Sequence, residues 1–408
     1  MSLSVSSPIP MRYRRRAWRL SGIVCLWGAA NTYAFYGFLP SFVFDRHEGF
    51  VPIALIAAAP GVGSLVLLPI AYQIVRRVGR TPVLVGGLML WSVSGLLLCF
   101  ASNLSWILLC RVCAGCAVLL DLTIVSLVDA AASPQHRSSV LTRLALLGWV
   151  GIGLGIVIAS VAEVSVNWRL ISSIFSLPGP FLALMALRLP EPRTGANSVT
   201  LTAIRERLLA LMTHKKLLVI TLAHGTQSGT ILSSLVFAPA LLAVHGKMPV
   251  SLLASRLPLL LFALFVGAAL SVVLQRVIDR WLRKDEGILL AGGAMIVSGI
   301  SLFGGITSVV IGTRFVLLCV SMASLGMVGA PLLAIFATLV SVTVRPTGYA
   351  VYMLLTTMVS SSIPIVIAIV AVQARDLHIG MLLFGILPVI IAGSVLVWMF
   401  DFHRAKIV

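Results

Sequence analysis

Val75-Arg76-Arg77-Val78-Gly79-Arg80 and Ile278-Asp279-Arg280-Trp281-Leu282-Arg283-Lys284 are two short basic knots in a chain of 408 residues that is otherwise almost all apolar. Arg76 and Asp279 hold equivalent places in the two patterns and stand 203 residues apart, close to half the chain. Each knot follows the second long apolar stretch of its half. A half-length echo of this kind predicts a duplicated membrane bundle, an architecture on which many secondary transporters are built.

Working outward from the knots, the composition agrees. Hydrophobic residues make up 59% of the chain and charged residues only 10%, against about 25% charged in a soluble domain. Mean hydropathy is +1.09. Apolar runs of roughly 18 residues or more recur along the sequence, each long enough to cross a hydrocarbon core of about 30 Å. The predicted spans are 20–43, 51–75, 82–101, 104–128, 139–162, 168–188, 217–244, 250–275, 287–307, 313–341, 348–373 and 380–400. The runs are continuous rather than alternating, which excludes a membrane β-barrel. The expected fold is an all-α membrane protein, twelve transmembrane helices in two pseudo-symmetric six-helix bundles.

The net charge of +18 marks topology rather than nucleic-acid binding. With the amino terminus inside, 23 Lys/Arg lie on the inner side and six on the outer: Arg46, Arg169, Lys247, Arg256, Arg314 and Arg375. This positive-inside bias predicts a multi-pass protein of the plasma or inner membrane with both termini cytoplasmic. The single long hydrophilic stretch follows Leu189-Pro190-Glu191-Pro192-Arg193, where proline ends the sixth helix. Thr200 to Met212 then reads as a short amphipathic helix on the cytoplasmic membrane surface. The expected organisation is a bundle over 1–190, a cytoplasmic linker over 191–216 and a second bundle over 217–408.

Cysteine spacing offers one false lead. Cys110-x-x-Cys113-x-x-Cys116 has the look of a cluster-binding run. It lies inside a predicted span with no fourth thiolate nearby, and free cysteine packs as a small hydrophobe. No metal and no cofactor are expected.

Several short patterns resemble the major facilitator superfamily, and together they cover nearly the whole chain. Gly79-Arg80 resembles the close of that family's loop 2–3 signature. Arg111-x-x-x-Gly115 resembles its fourth-helix arginine motif, and Asp129, Pro134 and Arg137 the acid–proline–arginine pattern that ends that helix. Asn167-Trp168-Arg169 with Phe175 resembles the start of the sixth helix, and Leu189-Pro190-Glu191 its exit. The resemblance implies alternating access, with Arg76, Arg77, Gly79, Arg80, Asp129, Arg137, Asp279, Arg280 and Arg283 as gating positions. Two departures stand out. Arg76 occupies the usual aspartate place and Tyr72 the leading glycine place, whereas the second half keeps Asp279 but has Leu282 at a glycine place. The gate latch is therefore expected to rest on Asp279. The small residues Gly148, Gly151, Gly153, Gly155, Ala159 and Ser160 loosely resemble the antiporter motif of drug and metabolite exporters. Ile156 replaces its proline, and close helix packing is the plainer use of such residues.

Ionisable groups within the spans are the site candidates. Among the twelve acidic residues Asp121 alone lies well inside a span. A carboxyl at that depth is a candidate for proton or substrate coupling, or else a satisfied polar residue near a helix end. Arg111 is ten residues earlier, about 15 Å along the axis, so the two do not pair directly. It is expected to bind an anion, to polarise a proton carrier or to bond backbone carbonyls. His224 and Gln227 sit in His224-Gly225-Thr226-Gln227-Ser228-Gly229, whose glycines predict a locally broken helix of the kind found at transport sites. Asn31, Tyr33 and Tyr36 are further cavity candidates, with Tyr36 alternatively an anchor at the outer interface.

The reading is a secondary transporter of a small organic solute, most simply by proton-coupled efflux, acting as a monomer in the lipid bilayer. A facilitative or proton-symport importer is the alternative. A membrane-embedded enzyme is the remote one, because the seven histidines are scattered rather than clustered at one face. No phosphate-binding loop is visible, and no filter-like repeat suggests a channel.

Overall fold

The computed structural model describes residues 11–37, 39, 49–117, 119–120, 123–124, 127, 137–162, 166–189, 213–246, 250–281, 286–340 and 345–404. These are helical, with no strand among them. In chain order the helices are α1 (Met11–Gly37), α2 (Phe50–Val78), α3 (Arg80–Leu98), α4 (Leu104–Ala114), α5 (Arg137–Ala162), α6 (Trp168–Ser176), α7 (Pro178–Ala186) and α8 (Lys215–Gly246). They continue with α9 (Val250–Trp281), α10 (Glu286–Thr307), α11 (Ile311–Gly326), α12 (Gly329–Leu339), α13 (Arg345–Ala374), α14 (Leu377–Gly380) and α15 (Leu387–Arg404). A π-helical turn at Met381–Ile386 joins the last two.

Three spans are built from more than one helix: α6 with α7, α11 with α12, and α14 through α15. The described residues thus supply twelve helical segments, each on one of the twelve predicted apolar spans. Eight stretches satisfy length and hydropathy for membrane crossing on their own. In water their exposed Val66, Phe100, Phe181, Phe262 and Trp398 would form an untenable surface. In hydrocarbon the same side chains are at home, while helical hydrogen bonding satisfies the backbone.

The two halves repeat one packing scheme. In the first, α1 packs on α5, α2 on α4, and α3 on α6 and α7. In the second, α8 packs on α13, α9 on α11, and α10 on α15. Glycine seams set the register. A methyl group on Gly63 would fall 2.0 Å from the Val112 carbonyl oxygen, and one on Gly115 would fall 2.3 Å from that of Pro60. The matching seam has Gly267 at 1.8 Å from Ala323 O and Gly326 at 2.2 Å from Leu264 O. With no hydrophobic drive between helices in lipid, such close backbone approach is a main source of helix association.

The fifth-helix stripe divides in the same light. A methyl group on Gly151 or Gly155 would fall 2.0 or 2.1 Å from the α1 carbonyl oxygens of Leu26 and Ala30, whereas one on Gly148 or Gly153 would meet open space. Ser160 Oγ donates to Gly37 O at 3.3 Å. The stripe is a packing seam for α1. At the first knot Gly79 has φ of 102°, a left-handed conformation that favours glycine. It lets the chain turn from α2 directly into α3.

The halves meet through α2 against α13 and through α5 against α9. Here we call the end where α1 begins the near end and the other the far end. At the far end Ala34, Phe35, Ile53 and Ile56 of the first half belong to one apolar core with Phe237, Leu241 and Leu260 of the second. Phe50 meets Phe237 edge to face at 6.2 Å. At the near end Leu20, Ala71, Leu84, Leu88 and Leu120 form a core of the first half alone. Among the described residues the core that joins the bundles at the far end continues through the whole second bundle, while the near end of the first bundle keeps a core of its own.

Candidate functional site

In the first half Arg111 is delivered to the interior by α4, which Asn103 starts by accepting a hydrogen bond from the Trp106 amide at 2.8 Å. The guanidinium is about 5% exposed. It stacks over Phe35 with 4.1 Å to the ring centroid, and its Nε donates to Ile56 O at 3.4 Å. Its Nη2 is buried without a hydrogen-bond partner. Tyr36 lies close enough to interact with the guanidinium, and its hydroxyl donates to Ala57 O at 3.5 Å. Tyr36 is therefore an interior residue at α2, not an anchor at the membrane interface. Tyr33 packs on it, with ring centroids 5.7 Å apart.

A small cavity opens beside the guanidinium, lined by Asn31, Phe35, Trp91, Ser94, Cys110 and Arg111 among others. It lies inside the first bundle, between α1, α2, α3, α4 and α6. It arises where small residues on four helices fail to fill the space around a bulky cation, a mismatch that a linear sequence does not display.

The second half holds a different cluster. His224 and Tyr352 share a short side-chain hydrogen bond between α8 and α13. Tyr352 also packs on Phe336 at 4.4 Å and on Tyr349 at 6.2 Å. Gln227 Nε2 donates to Leu325 O at 2.9 Å, while its Oε1 is buried without a partner. The predicted break at His224–Gly229 is not there: α8 runs unbroken from Lys215 to Gly246. Gly225 and Gly229 instead admit α13 against α8. The break falls opposite, at Met327-Val328 between α11 and α12. His224 and Gln227 face it, each within 4 Å of where a Gly329 side chain would begin.

The structure therefore brings Asn31, Tyr33, Tyr36 and Arg111 together in one bundle and His224 with Gln227 in the other. Asp121, Asp129 and Arg283 lie outside the described residues. Arg76, Arg137, Asp279 and Arg280 lie on helical backbone, whereas Arg77 is exposed at the end of α2, and Gly79 and Arg80 form the α2–α3 turn.

Tyr352 was missed by sequence reading, although an interior tyrosine needs a partner for its hydroxyl. Arg314 was missed too. Counted as an outer-side charge, it is about 5% exposed and donates to Ser308 O from both Nε, at 3.0 Å, and Nη2, and to Leu241 O from Nη1 at 3.1 Å.

Two six-helix bundles with repeated pairing, buried polar clusters in each and a lipid-compatible exterior define a multi-pass membrane protein. The chain matches the Major Facilitator Superfamily over residues 20–364 and belongs to that family. It is similar in fold to a bacterial homologue of the human lysosomal transporter Spinster, in an inward-facing and occupied conformation, with a TM-score of 0.71, 14% identity and 98% of each chain covered. A D-xylose–proton symporter gives 0.74 at 13% identity, covering 96% of this chain and 97% of that one. The nucleoside transporter NupG gives 0.70 at 14%, covering 95% and 99%. No curated protein matches by sequence.

Proposed function

We propose that this protein is a secondary active transporter of a small organic solute, working by alternating access with proton-coupled efflux as its mode. The one-sided joining of the halves carries the reading. A core shared by both bundles at the far end, from which the first bundle's near-end core stays apart, suits one of the two end states of alternating access. The bundles 1–190 and 217–408 rock as units about their contacts, with 191–216 as the cytoplasmic linker, in a monomer that holds a complete pathway. The charge bias puts the termini in the cytoplasm, so this arrangement faces inward. Solute binds between the halves, near the α11–α12 break that His224 and Gln227 face. Asp121 and His224 are the proton carriers, Arg111 sets the local field, and Asp279 is the gate latch.

Import is the second reading, favoured by the similarity in fold to a proton symporter. Proton flux in proteoliposomes with an internal pH dye, against a panel of solutes, tests both. Solute-driven alkalinisation or acidification gives the direction, and its loss in Asp121→Asn and His224→Gln identifies the carriers. Solute uptake with no proton movement in the wild type sinks the coupled reading. Unchanged transport and conformational equilibrium in Asp279→Asn would remove the latch.

A further inference from the structure

We propose that the interior of the first bundle holds one small, weakly hydrated inorganic monoanion, of chloride or bromide size, against Nη2 of Arg111. The site is distinct from a solute path between the halves and does not rest on the direction of transport. Three observations lead to it. First, the guanidinium is a full charge that cannot be shed, because arginine stays protonated in proteins, and no carboxylate pairs with it among the described residues. Second, its partners do not use it up: Nε reaches Ile56 O only at 3.4 Å, one face rests on Phe35, Tyr36 offers a neutral hydroxyl, and Nη2 has no partner. Third, the space beside it is real but small. It offers about 30 Å³ to the centres of water molecules, room for roughly two waters.

Water in that space would satisfy the orphan donor and leave the charge uncompensated in a low-dielectric interior. An anion does both. The volume excludes an organic solute. The walls select the ion further. Ser94 and Ser172 already donate to Trp91 O and Gly95 O, so Asn31, Thr32 and the guanidinium are the main polar groups left to face it. Pro60, Leu98 and Ala114 complete an apolar wall. A strongly hydrated ion such as fluoride loses more on entering than these groups return. The order expected is bromide at or above chloride, with fluoride far behind.

The second bundle holds the matching cavity, lined by Ser234, Leu241, Leu260, Leu302, Leu318, Ser321 and Met322. The seam register places Met322 where the first bundle has Arg111. The stoichiometry is therefore one anion per chain.

The test is thermal unfolding of the purified full-length protein, titrated with sodium bromide, chloride, fluoride or acetate. Ionic strength is held constant with sodium gluconate, an anion too large to enter. Bromide and chloride should raise the midpoint saturably by about 2 °C or more, and the rise should vanish in Arg111→Gln. In crystals of the wild type soaked in bromide, anomalous density should appear at Nη2. That second measurement decides the question if Arg111→Gln does not fold. A midpoint that follows ionic strength alone, an equal response in Arg111→Gln, or bromide density absent from the cavity would overturn the proposal. A response to acetate but not bromide would assign the guanidinium to a carboxylate instead and overturn the inorganic site.

Discussion

Arg111 and Arg314 are buried to the same degree, about 5% exposed each, yet their surroundings differ in kind. Arg314 spends its donors on carbonyls from two places, Ser308 in the α10–α11 turn and Leu241 on α8. It ties three helices together at the far end of the second bundle. Arg111 has one long hydrogen bond to a carbonyl, a neutral tyrosine beside it, an aromatic face and an orphan nitrogen beside a cavity. A buried charge with its donors satisfied acts as a staple, whereas one left unsatisfied is held ready for something else. Burial alone does not separate the two; the accounting of donors does.

The sharpest way to break the comparison is to move the charge. Met322→Arg puts a guanidinium into the cavity of the second bundle, whose walls are four leucines and the hydroxyls of Ser234 and Ser321, with no acid among them. Loss of about 3–5 kcal/mol is expected, seen as failure to purify as a monodisperse species or as early unfolding in detergent. A tolerated arginine there would mean that the two cavities are equivalent after all.

Arg314→Met should come next, with about 2–3 kcal/mol lost as the Ser308 and Leu241 carbonyls lose a charged donor; reversible unfolding in micelles measures it. A loss smaller than that of Arg111→Met would reverse the roles assigned to the two residues. The glycine seams should behave alike. Gly63→Ala and Gly267→Ala each force backbones apart and should each cost about 1–3 kcal/mol. Unequal values would show that the repeat differs in rigidity as well as in charge. The smallest effect is expected from Arg111→Met in halide-free buffer, under about 1 kcal/mol, because removing an unsatisfied buried donor offsets the lost packing over Phe35. A large loss there would make Arg111 a structural residue.

Much of the fold was legible. Every predicted span coincides with a helical segment, because a bilayer about 30 Å thick dictates the length of each apolar run whatever its neighbours are. The break was misplaced for an equally physical reason. Gly225 and Gly229 looked like interruptions in α8, but a glycine in a membrane helix serves equally to admit a neighbour, and here they admit α13. The real interruption, Met327-Val328, lies between Gly326 and Gly329 and just before Pro331, a signal no weaker than the one in α8, and only the packing tells the two apart.

The repeat was legible only approximately. A constant offset of 203, as between Arg76 and Asp279, would pair Arg111 with Arg314. The seams instead stand 204 residues apart on the second helix of each half, Gly63 to Gly267, and 211 apart on the fourth, Gly115 to Gly326. Loops of different length shift the register, so the true counterpart of Arg111 is Met322.

By itself the sequence determined that this chain spans a membrane about twelve times, in two related halves, with a handful of polar groups inside. Hydrophobic length and charge distribution are local quantities, additive along the chain. Tertiary structure decided which of those polar groups meet: His224 with Tyr352 across α8 and α13, and Arg111 with Phe35 beside a cavity. Among the described residues it also decided that the first bundle shares the second's core at its far end and keeps its own at the near end. Those outcomes depend on which helix faces touch, and small differences in seam register settle that once the helices are already in the bilayer.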